Sequence, residues 1–415
     1  MSILDERKLK LHKRIRQFEI EGISMIGNLN NGAIIGLDDK GKNLINRINN
    51  NDFIHKDLLD HDEQQLLDHM IERNFFTEEE TSLKAAYVHL TDRCNLHCVG
   101  CYSFVENRNA RDVLSFESIC FILDQLKSNG VEQVVFSGGE PFIRKDITEI
   151  CKYAKEEAEI FNLHVITNGT LKYDKYVDAF SYIDGLSISI DGYNEETQFI
   201  RDKGIMPRII KNIHFLKEKV PVTLIATIHK RNVQYVDEYL KFSKDLGVQL
   251  SFSIFTVDPN DKTFKDFIFD HKSLLEFSNK IIHLDKNVKV LDTPTGEIEL
   301  TCRGNCEVGK EMVSIGADGT IYPCHMLHDA SLEFGNIFDI SLKEALQAPD
   351  NPFSKLDVDD INGCKNCEYK YICGGGCRGR SWLYHKSLQH RDSYCPFIKN
   401  FYQDTISKVK ESINQ

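Results

Sequence analysis

The chain has 415 residues, of which 41% are hydrophobic and 27% are charged. These values are near the averages of globular proteins, so they exclude a disordered or fibrous protein. The net charge of −12 argues against a general nucleic-acid binder, because phosphate contacts need a positive surface. The charge therefore predicts no nucleic-acid partner, and at about 100–200 residues per domain the length predicts two or three domains.

Neither a secretory signal nor a membrane span is visible in the sequence. Six basic residues lie between Arg7 and Arg16 without a following apolar run, and no stretch reaches the ~18 apolar residues of a membrane helix. We therefore expect a cytoplasmic protein without a membrane partner. Thirteen cysteines in such a chain indicate metal ligands rather than disulfides, because the cytosol keeps thiols reduced. Cys120 and Cys151, alone in helical patterns, receive no function.

Residues 1–82 are predicted to form a small α+β domain. The runs "ISMIGN" and "AIIGLD" flank Asn-Asn-Gly, a hairpin signal, and "GKNLINRINN" and "DEQQLLDHMIERNFF" have helical spacing. One interpretation is a plain accessory domain. The other is a winged-helix-like unit, which resembles the leader-peptide-binding domains of peptide-modifying enzymes and would add the leader as an extra strand.

From 84 to 292, strand-like runs alternate with helical patterns, which predicts parallel βα units. Ser115 is a plausible N-cap and Gly130 follows the end of the first helix. Six units cannot close an eight-stranded barrel, so we predict an α/β fold with an open, partial (βα)6 TIM-like barrel whose site lies at the C-terminal strand ends. The six runs are "AAYVHL", "VEQVVFSG", "LHVITNG", "GLSISIDG", "VPVTLIATI" and "VQLSFSIF".

The segment "TDRCNLHCVGCY" follows the first of these strands and contains Cys94, Cys98 and Cys101. A [4Fe–4S] cluster normally takes one thiolate per iron, so three cysteines leave one iron open. An open position distinguishes catalytic metal sites from closed structural ones. A zinc ion completed by His97 or by a distant cysteine is the alternative.

The CxxxCxxC spacing followed by the aromatic Tyr102 resembles the motif of the radical S-adenosylmethionine (SAM) enzymes. The resemblance implies that the methionyl amino and carboxylate groups bind the fourth iron. One electron then splits the cofactor to a 5′-deoxyadenosyl radical that abstracts a substrate hydrogen.

Further motifs at consecutive strand ends match the same family. "FSGGEP" matches the motif that receives the methionyl amino group, and Arg201 resembles the arginine that pairs with the carboxylate. The SAM-binding residues that the resemblance implies are Tyr102, Gly138, Gly139, Glu140, Asn168, Ser189, Asp191 and Arg201.

Residues 300–398 contain eight cysteines in the segments around "CEVGKEMVSIGADGTIYPC" and "CKNCEYKYICGGGC". The pattern resembles the SPASM extension, which holds two auxiliary [4Fe–4S] clusters; a pair of zinc sites is the alternative. In some relatives the first cluster keeps a free iron, which leaves the role of Cys302 open. The resemblance implies Cys302, Cys306, Cys324 and Cys377 for the first cluster and Cys364, Cys367, Cys373 and Cys395 for the second.

The segment "YPCHML" places His325 where sulfatase maturases usually have an aspartate base. His325 either takes a proton as a catalytic base or caps a loop. The departure counts against sulfatase maturation, whereas "YPCH" resembles maturases that install cysteine thioethers in peptides. For the last stretch of the sequence, residues 399–415, we predict a helix.

The sequence therefore predicts a radical SAM maturase with three [4Fe–4S] clusters that oxidatively forms a thioether in a ribosomally made precursor peptide. Its expected partners are that peptide, whose leader the N-terminal domain binds, and an electron donor such as flavodoxin or ferredoxin. A carbon–carbon crosslink and formylglycine formation are alternative reactions. If the protein is not an enzyme, the alternative is a peptide-binding protein whose cysteines hold zinc.

Overall fold

A computed structural model of the chain describes residues 9–50, 52–77, 82–111, 114–283, 288–291 and 300–413. Its elements form an N-terminal sheet with two helices, a nine-stranded sheet with flanking helices, and a C-terminal region of short elements and turns. Within these ranges no helix combines the length and apolar character needed to cross a bilayer.

The N-terminal unit is a three-stranded antiparallel sheet followed by two helices. The hairpin predicted at Asn-Asn-Gly is confirmed, because β2 ends at Asn28 and β3 begins at Ile34. Both helices begin at aspartates whose side chains accept a backbone N–H, which satisfies a free donor of the first turn. The elements are β1 (Ile15–Ile20), β2 (Ile23–Asn28), β3 (Ile34–Gly36), α1 (Asp39–Asn49) and α2 (His61–Glu72).

The six predicted barrel strands are confirmed, and they pair in chain order as parallel neighbours. Ser115 caps the first helix by accepting the Ser118 N–H. In the described residues no ladder joins the two edge strands, so the barrel is open, as predicted. These strands are β4 (Ala85–Thr91), β5 (Gln133–Gly138), β6 (Asn162–Thr167), β7 (Gly185–Ile190), β8 (Val222–Ile228) and β9 (Gln249–Ile254). Their helices are α3 (Phe116–Ser128), α4 (Ile147–Glu156), α5 (Met206–Leu216), α6 (Val236–Leu246) and α7 (His271–Ile282).

Alternation along each strand separates the core from the barrel interior. Val88, Phe136 and Ile188 are fully buried on the side that faces the helices. Because successive side chains point to opposite faces, their neighbours Tyr87, Ser137 and Ser189 point inward. Hydroxyl-bearing residues therefore line the interior near the C-terminal strand ends.

The C-terminal region extends this sheet. The strand β11 (Met312–Ile315) pairs in parallel with β4, and β12 (Ile321–Tyr322) pairs antiparallel with β11. On the other edge, β10 (Lys289–Val290) pairs with β9. The sequence analysis assigned no strand beyond 300, so β11 is a finding of the structure. It fixes the cysteine-rich region directly beside the first barrel strand.

Four helices complete the C-terminal region. The last of them begins at Cys395 rather than at 399, and its Phe397 ring stacks on Phe277 of α7 with centroids 5.3 Å apart. The chain end is thereby fixed to the barrel. The helices are α8 (Leu342–Gln347), α9 (Lys370–Cys373), α10 (Arg378–His385) and α11 (Cys395–Ile413).

The N-terminal sheet docks on the cysteine-rich region. Arg14 lies 3.5 Å from Asp357, and Arg16 lies 3.6 Å from Asp359. Glu21, in the turn after β1, lies 2.8 Å from Lys410 of α11. The N-terminal unit is thus packed against the rest of the chain through β1 and its turn.

We expect Ile315→Ala to lower the free energy of unfolding by about 2–5 kcal/mol, because Ile315 of β11 is fully buried and its truncation leaves a cavity. The midpoint of chemical denaturation measures the change. Val177→Ala, at a position that is 40% exposed, is the control and should cost less than about 0.5 kcal/mol. Equal midpoints for the two variants would contradict a core position for β11.

Candidate active site

A cavity of about 470 Å³ lies at the C-terminal ends of the barrel strands. Part of its lining is the irregular segment 92–102, here called the cluster loop, and another part, here called the C-terminal wall, comes from the C-terminal region. Among the described lining residues, the charged side chains are Arg108, Arg201 and Arg303. The cavity therefore has a positive interior that suits anionic groups.

Each of the three cluster-loop sulfurs has a nitrogen donor beside it. Arg201 Nη1 lies 3.7 Å from the Cys98 sulfur, and Arg108 Nη1 lies 3.9 Å from that of Cys101. The amide of Asn168 lies 3.9 Å from the Cys94 sulfur. Hydrogen bonds and positive charge near sulfur stabilise thiolates and tune iron–sulfur clusters. The donor set therefore fits a thiolate-bound cluster.

Gly138 and Gly139 pack directly against the start of the cluster loop. The Gly139 N–H donates to Thr91 O at 2.6 Å, and the Glu140 N–H donates to Arg93 O at 2.8 Å. A Cβ on Gly139 would lie 2.1 Å from Arg93 O, so only glycine allows this approach. Both glycines line the cavity.

Glu140, in contrast, is fully buried behind the cavity wall. Its carboxylate accepts hydrogen bonds from Thr167 Oγ1 and the Asn168 N–H, both at 2.8 Å, and from the Phe142 N–H at 3.1 Å. Burial raises the pKa of Glu140 to about 7. In the structure this side chain joins the ends of β5 and β6, and its contact with SAM stays a prediction.

Tyr102, Asn168 and Ser189 line the cavity, as does Arg201. The Tyr102 hydroxyl lies 2.7 Å from Ser137 Oγ, and the ring is 42% exposed. Arg201 Nε is buried and has no hydrogen-bond partner among the described residues. An unpaired guanidinium N–H in this position fits a carboxylate ligand, which is the group expected there.

Asp191 lies behind the wall and is fully buried. One carboxylate oxygen accepts the N–H groups of Phe199 and Ile200, and the other lies 3.1 Å from His229 Nε2. The sequence analysis did not include His229. In the structure Asp191 contacts protein groups, and its contact with SAM stays a prediction.

The C-terminal cysteines fall into groups. Cys306, Cys324, Cys373 and Cys377 line the cavity. Burial and the nearby thiols of Cys364 and Cys395 raise the pKa of Cys373, while burial and the thiols of Cys395 and Cys367 raise that of Cys364 to about 11. Cys364, Cys367, Cys373 and Cys395, the set implied for the second cluster, therefore lie near one another, and their ligation of one cluster stays a prediction. In the described residues, no three His, Cys, Asp or Glu side chains surround a single metal-ion position.

Cys302 lies apart from the cavity. A Cβ on Gly27 of β2 would lie 2.4 Å from its sulfur, so the thiol packs against the N-terminal sheet. Burial raises its pKa to about 12, and the neighbouring charges that act on it are Arg14, Arg16, Arg303 and Asp357. It shares an apolar cluster with Cys364, which belongs to the other predicted ligand set.

An aromatic array connects the cluster loop with the C-terminal wall. The His325 ring stacks on Tyr87 at 4.1 Å and meets Tyr102 edge-on at 5.7 Å. The sequence analysis missed His89 and His328, whose rings stack at 4.4 Å. Burial lowers the pKa of His328 to about 4 and that of His89 well below its usual range, so both are neutral near pH 7. The spacing of His89 two residues after Tyr87 was the available signal, because it places both on the interior face.

Comparison with known families identifies the class. A model described as the radical SAM superfamily matches residues 88–273, and a model described as a SPASM iron–sulfur cluster-binding domain matches residues 306–368. The chain therefore contains a radical SAM domain followed by a SPASM domain. Its cofactors are therefore SAM and [4Fe–4S] clusters, which the donors at the cluster-loop thiols and at Arg201 fit.

Individual relatives agree with this family. The chain is 26% identical over 340 residues to the AdoMet-dependent heme synthase of Methanosarcina barkeri, covering 74% of this chain and 94% of the relative. It is 26% identical over 336 residues to the antilisterial bacteriocin subtilosin biosynthesis protein AlbA of Bacillus subtilis. This match covers 75% of this chain and 70% of the relative.

Two solved structures share the fold. Native anSMEcpe with bound AdoMet and Cp18Cys peptide has a TM-score of 0.65 at 17% identity and covers 80% of this chain and 98% of its own. Streptococcus suis SuiB bound to the precursor peptide SuiA has a TM-score of 0.60 at 19% identity. This match covers 93% of this chain and 99% of the SuiB chain. At these identities the likeness concerns the fold alone.

We expect Gly139→Ala to displace the cluster loop and to remove roughly four irons per chain, the content of one cluster, after anaerobic reconstitution. The physical reason is the close approach of the added Cβ to Arg93 O. Gly36→Ala is the control, because a Cβ there meets nothing within 4 Å. Iron analysis measures the difference, and equal iron in the two variants would show that the loop tolerates the side chain.

Proposed function

We propose that the protein is a peptide maturase that oxidatively joins a cysteine sulfur to a carbon of another residue in a ribosomally made precursor. The observation that carries the proposal is the shared cavity, which is lined both by the cluster loop and by Cys306, Cys324 and Cys377 of the C-terminal wall. A hydrogen-abstracting site and a second set of thiolate ligands thus meet one substrate position. Such an arrangement suits a reaction that removes two hydrogens from the substrate.

The residues take the following roles in this proposal. Cys94, Cys98 and Cys101 hold the open cluster, while the backbone at Gly139 and the Arg201 guanidinium bind the methionyl end of SAM. When bound, SAM and this cluster supply the one-electron chemistry that removes a hydrogen atom from carbon. The eight C-terminal cysteines hold two auxiliary clusters, with Cys302 the member whose surroundings fit least.

His325 is proposed as the base that takes the substrate thiol proton. It lines the cavity beside Cys324, and its ring is held against Tyr87 at 4.1 Å. An imidazole nitrogen can accept a proton from a neighbouring thiol, which suits this task. The alternative role, a loop cap, would leave the protonation of the substrate thiol unaffected.

A peptide substrate is supported by the relatives and by the N-terminal sheet. AlbA is named for bacteriocin biosynthesis, and the SuiB and anSMEcpe structures contain peptides. In the described residues, β3 pairs on one side only, with β2. Its free edge offers backbone groups to an added strand, as leader recognition requires. We propose a flavodoxin- or ferredoxin-type electron donor and a cytoplasmic location.

Co-expression with a short cysteine-containing peptide tests the reaction by mass spectrometry. A thioether is expected to give a product lighter by two hydrogens that no longer reacts with iodoacetamide, because its sulfur is alkylated. A carbon–carbon crosslink would show the same mass loss with a reactive thiol, and formylglycine formation would remove sulfur. An unchanged peptide, together with modification of a porphyrin as in the heme synthase relative, would overturn the peptide assignment.

Two cysteine variants separate the clusters. We expect Cys98→Ala to abolish SAM cleavage, because it removes a ligand of the open cluster. Cys367→Ala should retain some uncoupled cleavage but lose the crosslinked product, since it affects an auxiliary cluster only. Chromatography of the nucleoside product and of the peptide measures both, and full product from Cys98→Ala would contradict the assignment.

Metal analysis of the anaerobically purified protein should find about twelve irons per chain, the content of three cubes, and a brown colour. The control is the same protein after chelation, which should be colourless. A colourless protein with stoichiometric zinc as isolated would instead support the binding-protein alternative.

A further inference from the structure

Behind the cavity wall, Asp191 and His229 form a fully buried pair. His229 Nδ1 accepts the Arg231 backbone N–H at 3.1 Å, so Nε2 carries the ring hydrogen and donates to Asp191 Oδ1 at 3.1 Å. The geometry therefore sets the tautomer of the histidine. Three phenylalanine rings, Phe199, Phe255 and Phe267, meet the imidazole edge-on and hold it in place.

The second oxygen of Asp191 holds the segment 199–202. It accepts the Phe199 N–H and, at 2.6 Å, the Ile200 N–H. A buried carboxylate needs hydrogen-bond donors, and these donors lose a strong acceptor when the carboxylate is replaced. Asp191 therefore fixes His229 through one oxygen and the segment 199–202 through the other.

The segment 199–202 in turn contacts the middle of the cluster loop at three points. Ile200 O accepts the Val99 N–H at 2.7 Å, and Asp202 Oδ1 accepts the His97 N–H at 3.2 Å. Arg201, between them, places Nη1 3.7 Å from the Cys98 sulfur and keeps Nε buried without a partner in the described residues.

We infer that the Asp191–His229 pair is a positioning device that sets Arg201 against the cluster loop and thereby determines the affinity for SAM. Neither residue lines the cavity, so both act through the segment 199–202. The inference uses the proposed contact between Arg201 and the SAM carboxylate. It does not depend on the identity of the peptide or of the bond formed.

The test uses anaerobically reconstituted protein and equilibrium dialysis with SAM itself. His229→Phe keeps a ring in the aromatic surroundings but removes the donor to Asp191, and we expect SAM to bind about tenfold more weakly. His229→Gln retains an N–H donor near the Nε2 position and should stay within about threefold of the parent protein. The iron content, measured in parallel, is expected to be retained.

Tyr239→Phe is the matched control. The Tyr239 hydroxyl donates to the backbone carbonyl of Asp191 and leaves the carboxylate untouched. It is buried like His229, so a loss of affinity caused by general destabilisation would occur in this variant too. Equal weakening in Tyr239→Phe and His229→Phe, or unchanged affinity in His229→Phe, would overturn the inference.

If His229→Phe does not fold, amide hydrogen exchange of the apo protein tests the inference with a second variant, Asp191→Asn. Asp191→Asn preserves size but replaces the charged carboxylate by a neutral amide, which has one acceptor oxygen for the two sets of donors and presents an N–H₂ group to the other set. We expect faster exchange of the amides in segment 199–202, with the strands β4 to β6 unchanged. Unchanged protection of that segment would refute the inference. Neither readout involves a peptide, so the outcome is separate from that of the crosslinking assay.

Discussion

The site depends on backbone contacts that hold an irregular loop in one conformation. The cluster loop has no helix or strand of its own, yet it must present three sulfurs in a fixed arrangement. It is held on one side by Gly139 and Glu140, whose N–H groups donate to Thr91 and Arg93, and on the other by Ile200, which accepts the Val99 N–H. The first contact exists only because Gly139 lacks a side chain.

Local sequence patterns predicted the barrel strands, but they did not predict how the C-terminal region attaches to the barrel. Apolar runs with Gly-rich ends predicted β4 to β9, because each strand is buried on the helix side and bounded by turns. The strand β11 has four residues, and its partner β4 lies more than 200 positions earlier in the chain. No local pattern carries such a pairing, and the flanking cysteines indicated metal ligands rather than a strand. The same holds for β1, whose docking involves Asp357 and Asp359.

Motif matching placed the candidate residues along the chain but did not show where their side chains point. Gly138 and Gly139 line the cavity, whereas the next residue, Glu140, turns away from it to the ends of two strands. Asp191 likewise follows a strand and turns away from the cavity to His229. At the end of a strand, a shift of one residue moves a side chain to the other face of the sheet. The sequence motif is the same in both cases. A carboxylate that satisfies buried backbone donors and one that binds a cofactor are therefore indistinguishable in sequence.

The charge of the site is opposite to that of the chain. A net charge of −12 argued against a general nucleic-acid surface, but it gave no information about the cavity, where the charged lining side chains in the described residues are arginines. Thiolate-bound clusters and a methionyl carboxylate bring negative charge into a partly buried cavity, where an unpaired charge is costly. Two of the three arginines lie beside cluster-loop sulfurs, at Cys98 and Cys101. Because the screening length at physiological salt is about 8 Å, exposed acidic residues act weakly on these groups. The local arginines therefore determine which charge the cavity accepts, and a composition that describes the whole surface does not predict it.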